Sequence, residues 1–258
     1  MKPTKEDVSR QFGKNAENYA QSAGHARGVD LEIVFNMLTP NRRWHVLDIA
    51  TGAGHTAAMV APSVARVTAI DLAPEMIEQT LKLFEKKGIE NGEARVMDVE
   101  DLSPFEDESF DAVTCRIAPH HFLDIEKAVA EIARVLRPRG VFVLEDSLSP
   151  EDVALDRFIN EVEKLRDPTH VRAYNESEWR EMLRLVGFKI KKTRNYRKTH
   201  EIQDWMDKAS LAADQQPQVL DAFRSADEAA RLEFEIKFEG DLPVSYTDNK
   251  IILRAVKA

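Results

Sequence analysis

The chain has 258 residues, 36 Lys and Arg against 45 Asp and Glu, and a net charge of -9. That length buries the core of one domain with insertions, or of two domains at most, and the acidic balance disfavours nucleic acid, whose phosphates draw on a basic surface. A single cysteine, Cys115, excludes an internal disulfide framework and a multi-cysteine metal site, and suits a reducing cytoplasm. The opening run Met1-Lys2-Pro3-Thr4-Lys5-Glu6-Asp7 has no signal-peptide apolar core, and no stretch reaches the apolar length of a membrane span. The expectation is a soluble, cytoplasmic protein, monomer or homodimer.

In chain order, strands and helices alternate from about Trp44 to Ser147, which predicts an α/β fold with a parallel sheet covered on both faces. The strand candidates are His45 to Ile49, Arg66 to Ile70, Ala94 to Met97, Phe110 to Cys115 and Val141 to Glu145, each short and apolar between polar or small residues. Pro74 suits the first turn of a helix with the apolar face Ile77, Leu81 and Phe84, and Gly88 sits just past its end. Asp124 reads as the N-cap of a helix whose stripe runs Ile125, Ala128, Val129, Ile132, Val135 and Leu136, stopped by Pro138 and Gly140.

Beyond Ser147 a helix is expected from Pro150 to Asp167, followed by the polar loop Arg166 to Arg172. Asn175 with Glu178 forms a capping box for a helix carrying Trp179, Met182, Leu183 and Val186, and Gly187 closes it. A sixth strand, Phe188 to Thr193, and a last strand, Ile251 to Val256, bracket about fifty residues that read as largely helical, around Trp205 and Arg231 to Phe238.

Chemistry concentrates in Val46-Leu47-Asp48-Ile49-Ala50-Thr51-Gly52-Ala53-Gly54, a buried strand that ends in an acid and breaks into a small-residue loop before a helix. Glycines there let backbone approach a ligand, and a helix N-terminus favours anionic groups. Gly52-Ala53-Gly54-His55-Thr56-Ala57 also fits the degenerate G-x-G-x-x-G/A dinucleotide fingerprint, which would serve a nicotinamide oxidoreductase. Asp48 stands where that fingerprint would normally place its first glycine. Asp71 ends the second strand, where a carboxylate accepts ribose hydroxyls. Asp98 ends the third, placed to take an adenine amino group while the Val99 N–H meets a ring nitrogen. Any one of these acids alone also serves as a turn or cap residue. Three acids after three successive strands line one edge of a parallel sheet, the crevice where such folds bind ligands.

These residues, together with Ile70-Asp71-Leu72-Ala73-Pro74-Glu75-Met76, Asp98-Val99-Glu100-Asp101-Leu102-Ser103-Pro104-Phe105, Ser109-Phe110-Asp111 and Val135-Leu136-Arg137-Pro138-Arg139-Gly140, give the chain its resemblance to the class I, seven-stranded S-adenosylmethionine-dependent methyltransferases. The nearer likeness is to the ubiquinone and menaquinone biosynthesis branch (UbiE-like), over about Trp44 to Phe188. The resemblance implies a doubly wound, seven-stranded, mostly parallel sheet with an antiparallel last strand and helical caps. Residues 1–258 then form a single methyltransferase domain, with an N-terminal helical lid over about 1–40 and cap insertions at about 147–175 and 196–249. S-adenosylmethionine is the implied cofactor and a small molecule the methyl acceptor. By position, Asp48, Ala50 and Gly52 would shape the pocket for its methionine portion, Asp71 would bind ribose, Leu72 and Met76 would pack on adenine, and Asp98 and Val99 would read the adenine edge. Arg116 and Ile117 would face the sulfonium, and Tyr19 and His25 the carboxylate end. Ala50 departs from the family's usual glycine; alanine fits there if the backbone is not left-handed.

Both insertions leave strand ends on the carboxyl edge, so they are expected to cap the crevice and form the acceptor pocket. Methyl transfer from a sulfonium is a displacement in which positioning carries much of the catalysis, and a base is needed only if the acceptor must lose a proton. His120 and His121 are the candidates, because histidine titrates near neutrality. Arg116, Arg166 or Arg172 would hold an anionic acceptor, and the acceptor is read as a small metabolite, aromatic or anionic. A metal site is not expected, since the histidine pair lacks i, i+4 spacing and Cys115 has no companion thiol. The remaining alternative is a non-catalytic regulatory protein on the same fold.

Overall fold

The computed structural model describes residues 2–21 and 28–258. Its sheet has eight strands: β1 (His45–Ile49), β2 (Arg66–Asp71), β3 (Gly92–Val96), β4 (Phe110–Arg116), β5 (Leu136–Leu148), β6 (Phe188–Glu201), the short β7 (Lys237–Glu239) and β8 (Leu242–Lys257). The main path runs β3-β2-β1-β4-β5-β8-β6, with β7 paired to β8. Pairings are parallel through β5, and β8 is antiparallel to both β5 and β6. This is the expected doubly wound architecture with an antiparallel last strand. Among the described residues no helix is long and apolar enough to cross a membrane.

The period-two alternation of the strands sorts side chains into two cores. Leu47, Ile49, Val113, Phe142 and Leu144 face one side, where the Ile125–Val135 and Glu176–Leu185 helices cover them. Val46, Val67, Ala112 and Val143 face the other, covered by the Val29–Leu38 and His55–Val60 helices and by Phe84 of the Pro74–Lys87 helix. Asp124 caps its helix through the Lys127 N–H, and Asn175 and Glu178 form the reciprocal capping box. Two details differ from the sequence reading. Leu81 is 48% exposed, its place on the buried face taken by Met76 and Thr80, and Leu136 is extended, the first residue of β5.

A larger difference lies between residues 194 and 250. The sixth and last strands overrun their expected ends and pair with each other from Phe188↔Lys257 to Glu201↔Ser245, whereas β5 pairs with β8 only from Val141↔Val256 to Leu148↔Asn249. The ribbon therefore projects beyond the carboxyl edge of the sheet, and only the segment between its strands carries the helices Ile202–Lys208, Gln216–Arg224 and Glu228–Glu233. Phe238 belongs to β7. The β6 half of the ribbon is illegible as strand because its outer residues are polar or charged and mostly exposed, with little apolar alternation to betray the pleat, while the matching half of β8 is mostly buried and mixes polar with apolar residues.

A third core joins both insertions. Ile159 and Val162 of the Val153–Arg166 helix pack with Trp205, Met206, Val219, Phe223, Phe234 and Tyr246. Residues of the two insertions thus share one apolar cluster at the ribbon's outer end. The N-terminal helices Lys5–Lys14 and Ala16–Gln21 seat Ala16, Phe12 and Tyr19 against Ala73 and Met76.

The loop after β1 contains a conformational surprise. Ala50 has φ 48°, a left-handed backbone, so the condition under which alanine would fit freely is not met. Such a conformation costs a residue with a Cβ about 1–2 kcal/mol. An Ala50→Gly protein is therefore expected to be more stable by about 1 kcal/mol, after allowing for glycine's greater freedom when unfolded; urea midpoints equal to or below the parent's would contradict this. In the shared insertion core, Phe223 is fully buried, and Phe223→Ala should cost about 3–5 kcal/mol in the same measurement.

Candidate active site

A cavity of about 930 Å³ opens along the carboxyl edge of the sheet. Every site residue singled out from the sequence lines it except Arg172 and except His25, which lies outside the described residues. At its centre the loop after β1 is held by Asp48, which is 1% exposed. The Asp48 carboxylate accepts from Thr51 Oγ1 at 2.5 Å and the Ala57 N–H at 3.2 Å on one oxygen, and from Thr114 Oγ1 at 2.6 Å on the other. Burial pushes its pKa up to about 6, against the pull of those donors and of Arg116. Asp48 therefore shapes the loop through bonds that consume its own oxygens.

Asp71 ties the next strand to the same loop. One of its oxygens accepts the Gly52 N–H at 2.8 Å and the other the Ala73 N–H at 2.9 Å, and Thr80 Oγ1 donates to the Gly52 carbonyl at 2.9 Å. Each Asp71 oxygen keeps acceptor capacity toward the cavity. Burial raises its pKa, opposed by the backbone donors. Gly52 has φ 57° and a Cβ built on it would meet no protein atom within 4 Å, so the loop's backbone faces open cavity.

Asp98 and Glu100 form the third station. Lys5, from the first helix, reaches both carboxylates, with Glu100 Oε2 at 2.8 Å. This pairing spans 93 residues and carried no local sequence signal. Val99, Leu72 and Met76 give that end apolar walls, Met76 only 1% exposed. Across the cavity, Arg116 is ion-paired with Asp30 and donates to Thr56 Oγ1 at 3.2 Å. Ile117 holds φ 56°, an outlier for a β-branched residue, with its N–H fixed on the Glu145 carbonyl at 2.8 Å. Tyr19 packs on Phe12 with ring centroids 5.8 Å apart, and burial raises the pKa of its hydroxyl.

The histidines gather in one cluster. His120 Nδ1 lies 2.5 Å from Asp146 Oδ1, and Asp146 is completely buried. His121 Nδ1 bonds the Thr169 carbonyl at 3.1 Å, and His170 Nε2 the Asn160 side-chain oxygen at 2.9 Å. The ring centroids of His120 and His121 are 4.1 Å apart, and those of His120 and His170 5.6 Å. Burial works to neutralise His120, but the charge and hydrogen bond of Asp146 outweigh it and raise the pKa. Burial and then the charge of His120 lower His121, and the same causes push His170 down to about 2. Asp146 and His170 were missed from the sequence. Asp146 follows the expected end of the fifth strand, the same signal that singled out Asp48, Asp71 and Asp98.

The far wall comes from both insertions and the ribbon: Arg166 and Glu163 from the Val153–Arg166 helix, Trp205 beyond the ribbon, and Lys198 and Lys250 from β6 and β8. Arg166 stacks over the Trp205 ring at 4.7 Å and donates to its carbonyl at 2.9 Å. Arg172 does not line the cavity. It is held by Asp156 at 3.1 Å and Glu178 at 2.9 Å, which removes it as an anion-holding candidate.

Residues 47–144 match the methyltransferase domain family (Methyltransf_11). The chain is 36% identical over 247 residues to the uncharacterized methyltransferase YcgJ of Bacillus subtilis (strain 168), covering 95% of this chain and 97% of that protein. The crystal structure of YcgJ superimposes with a TM-score of 0.86, at 35% identity, over 88% of this chain and 97% of that one. A shorter likeness, 35% over 165 residues, joins it to the ubiquinone/menaquinone biosynthesis C-methyltransferase UbiE of Brucella suis biovar 1, over 60% of this chain and 61% of that protein. With the strand order, the acids at the strand ends and a relative matched over nearly its whole length, the chain belongs to the methyltransferase family and is a methyltransferase.

Proposed function

We propose that the protein transfers the methyl group of S-adenosylmethionine to a small acceptor bound between the histidine cluster and the ribbon. The observation that carries this reading is the convergence of the loop after β1, the three strand-end acids and the His120–Asp146 pair on one cavity. The residues present fit the cofactor. Gly52 leaves space where a side chain would intrude, Asp71 offers two oxygens with acceptor capacity, and Leu72, Met76 and Val99 supply apolar surface for a purine. Bound there, S-adenosylmethionine supplies an electrophilic methyl on a sulfonium whose leaving group is a neutral thioether. The partial likeness to UbiE supports kinship of the core with the quinone-biosynthesis branch.

In this reading Asp71 binds the ribose hydroxyls, and Asp98 and Val99 read the adenine edge, with Lys5 sharing the Asp98 carboxylate. Asp48, Ala50 and Gly52 shape the methionine portion, Tyr19 meets its carboxylate end, and Arg116 and Ile117 border the reacting centre. The guanidinium of Arg116 is neutralised by Asp30, so it adds little net repulsion beside a sulfonium. His120 removes the acceptor's proton. Asp146 is a positioning residue that fixes the ring and stabilises the imidazolium, while His121, held on Thr169, packs beside it. The insertions exclude water.

Calorimetric titration tests the cofactor: S-adenosylmethionine and S-adenosylhomocysteine should bind and NAD should not, with Asp71→Ala weakening binding at least about tenfold. Tighter binding of NAD would refute the reading. The base is tested by following the His120 ring by NMR. It should titrate above the ordinary value of 6.5, and Asp146→Asn should bring it down. Because the folded-state value is raised, the pair stabilises the fold fully below 6.5 and loses that contribution as pH rises through the folded value. The stability gap between wild type and His120→Gln should accordingly narrow with rising pH; a gap that widens would contradict the assignment.

A further inference from the structure

We propose that the ribbon end of the cavity is an anion subsite in which Lys198, backed by Lys250, receives a carboxylate or phosphate group of the methyl acceptor, which is therefore a small anionic metabolite. The inference rests on the methyl-transfer reading above.

Charge pairing around the cavity singles out Lys198. Lys5 is taken by Asp98 and Glu100, Arg116 by Asp30, Arg166 by Glu163 at 3.5 Å, Lys208 by Asp204 at 2.5 Å, and Lys250 by Asp248 at 2.8 Å. Among the described residues the Lys198 ammonium has neither an ion pair nor a hydrogen bond, although its side chain reaches the cavity. The acids near it are committed elsewhere. Asp248, directly opposite in the ribbon, also faces His200 at 3.2 Å, Asp30 is paired with Arg116, and Glu145 accepts from the Tyr196 hydroxyl at 2.7 Å. Glu201 is exposed and, by strand alternation, one position off the face shared by Lys198 and His200.

Register then brings the second cation close. Tyr196 pairs with Lys250 and Lys198 with Asp248, so Lys198 and Lys250 are diagonal neighbours on one face, within about 8 Å by strand geometry. Lys250 Nζ also donates to Ser147 Oγ at 2.8 Å. Lys198 is itself exposed on the ribbon; partial desolvation, and then the charge of Lys250, lower its pKa. Asp146, which holds His120, and Ser147, which holds Lys250, are consecutive residues of β5 whose side chains leave opposite faces of the strand, so His120 and Lys250 reach the cavity from the two faces of the sheet edge.

The full-length protein, saturated with S-adenosylhomocysteine, is titrated with benzoate, phenyl phosphate and neutral benzyl alcohol. At least one anion should bind about tenfold more tightly than the alcohol, and the stronger of the two identifies carboxylate or phosphate as the recognised group. Lys198→Gln should erase the preference, Lys198→Arg should keep it, and neither should alter affinity for S-adenosylhomocysteine. Absence of any anion preference up to millimolar concentration, or a preference that survives Lys198→Gln, would overturn the subsite while leaving cofactor binding intact. Failure of wild-type protein to bind S-adenosylhomocysteine would instead remove the methyl-transfer reading and the subsite with it.

Discussion

The buried carboxylate of Asp48 is the constraint on which the site is built. It sits inside the end of β1, receives donors from the following loop, from the helix after it and from the neighbouring strand β4, and so joins four pieces of backbone at one point. Burying a carboxylate is costly unless its oxygens are occupied. With three donors the cost is reduced but not removed, since the folded-state pKa is raised to about 6. A raised carboxylate pKa means that the folded form loses stability as pH climbs from the ordinary carboxylate range through that value. Asp48 is therefore a poor choice for stability at neutral pH and a good one for shape. It fixes the turn that leaves the Gly52 backbone facing the cavity, and it does so beside an Ala50 and an Ile117 held in left-handed conformations. Strain gathered at a ligand-facing edge is what a pre-organised site requires.

From that point the topology explains the rest of the cavity. Parallel strands deliver their carboxyl ends to one edge, so Asp48, Asp71 and Asp98 arrive together without any long-range design. The antiparallel β8 enters from the opposite direction, and its first half, with β6, overhangs the same edge. The helices of both insertions then bury a common core around Phe223 and Tyr246 at the overhang. One wall of the cavity is thus made by strand ends and the other by a strand pair that continues past them.

The parts legible in the sequence are those governed by local rules. The core strands, the cap at Asp124, the capping box at Asn175 and the three strand-end acids each follow from a few neighbouring residues, and each is where the sequence places it. The outer ribbon is not legible, because its strand character comes from pairing between Lys198–Glu201 and Ser245–Asp248 rather than from an apolar period. The Lys5 contact with Asp98 and the Asp146 contact with His120 join residues far apart in the chain, and only folding reveals them. The left-handed turn at Ala50 is not legible either, because a single alanine carries no sign of φ. Arg172 looked as available as Arg166 until two acids were found to hold it.

The two ends of the cavity manage charge differently. Around the loop after β1, carboxylates accept fixed backbone N–H groups, at Gly52 and Ala73 for Asp71 and at Glu100 for Asp98, so their orientation is set before any ligand arrives. Around the histidines the charge is movable. Three imidazoles lie close together, and they cannot all be protonated inside protein, because each charge there penalises the next. Asp146 breaks the tie by holding the proton on His120, and that charge helps to keep His121 and His170 neutral. Neutral imidazoles bonded to Thr169 and Asn160 fill polar space without adding a second buried charge. The cluster therefore has one basic site with two quiet neighbours, and environments that drive adjacent titratable groups apart are how a fold assigns a single proton-handling role.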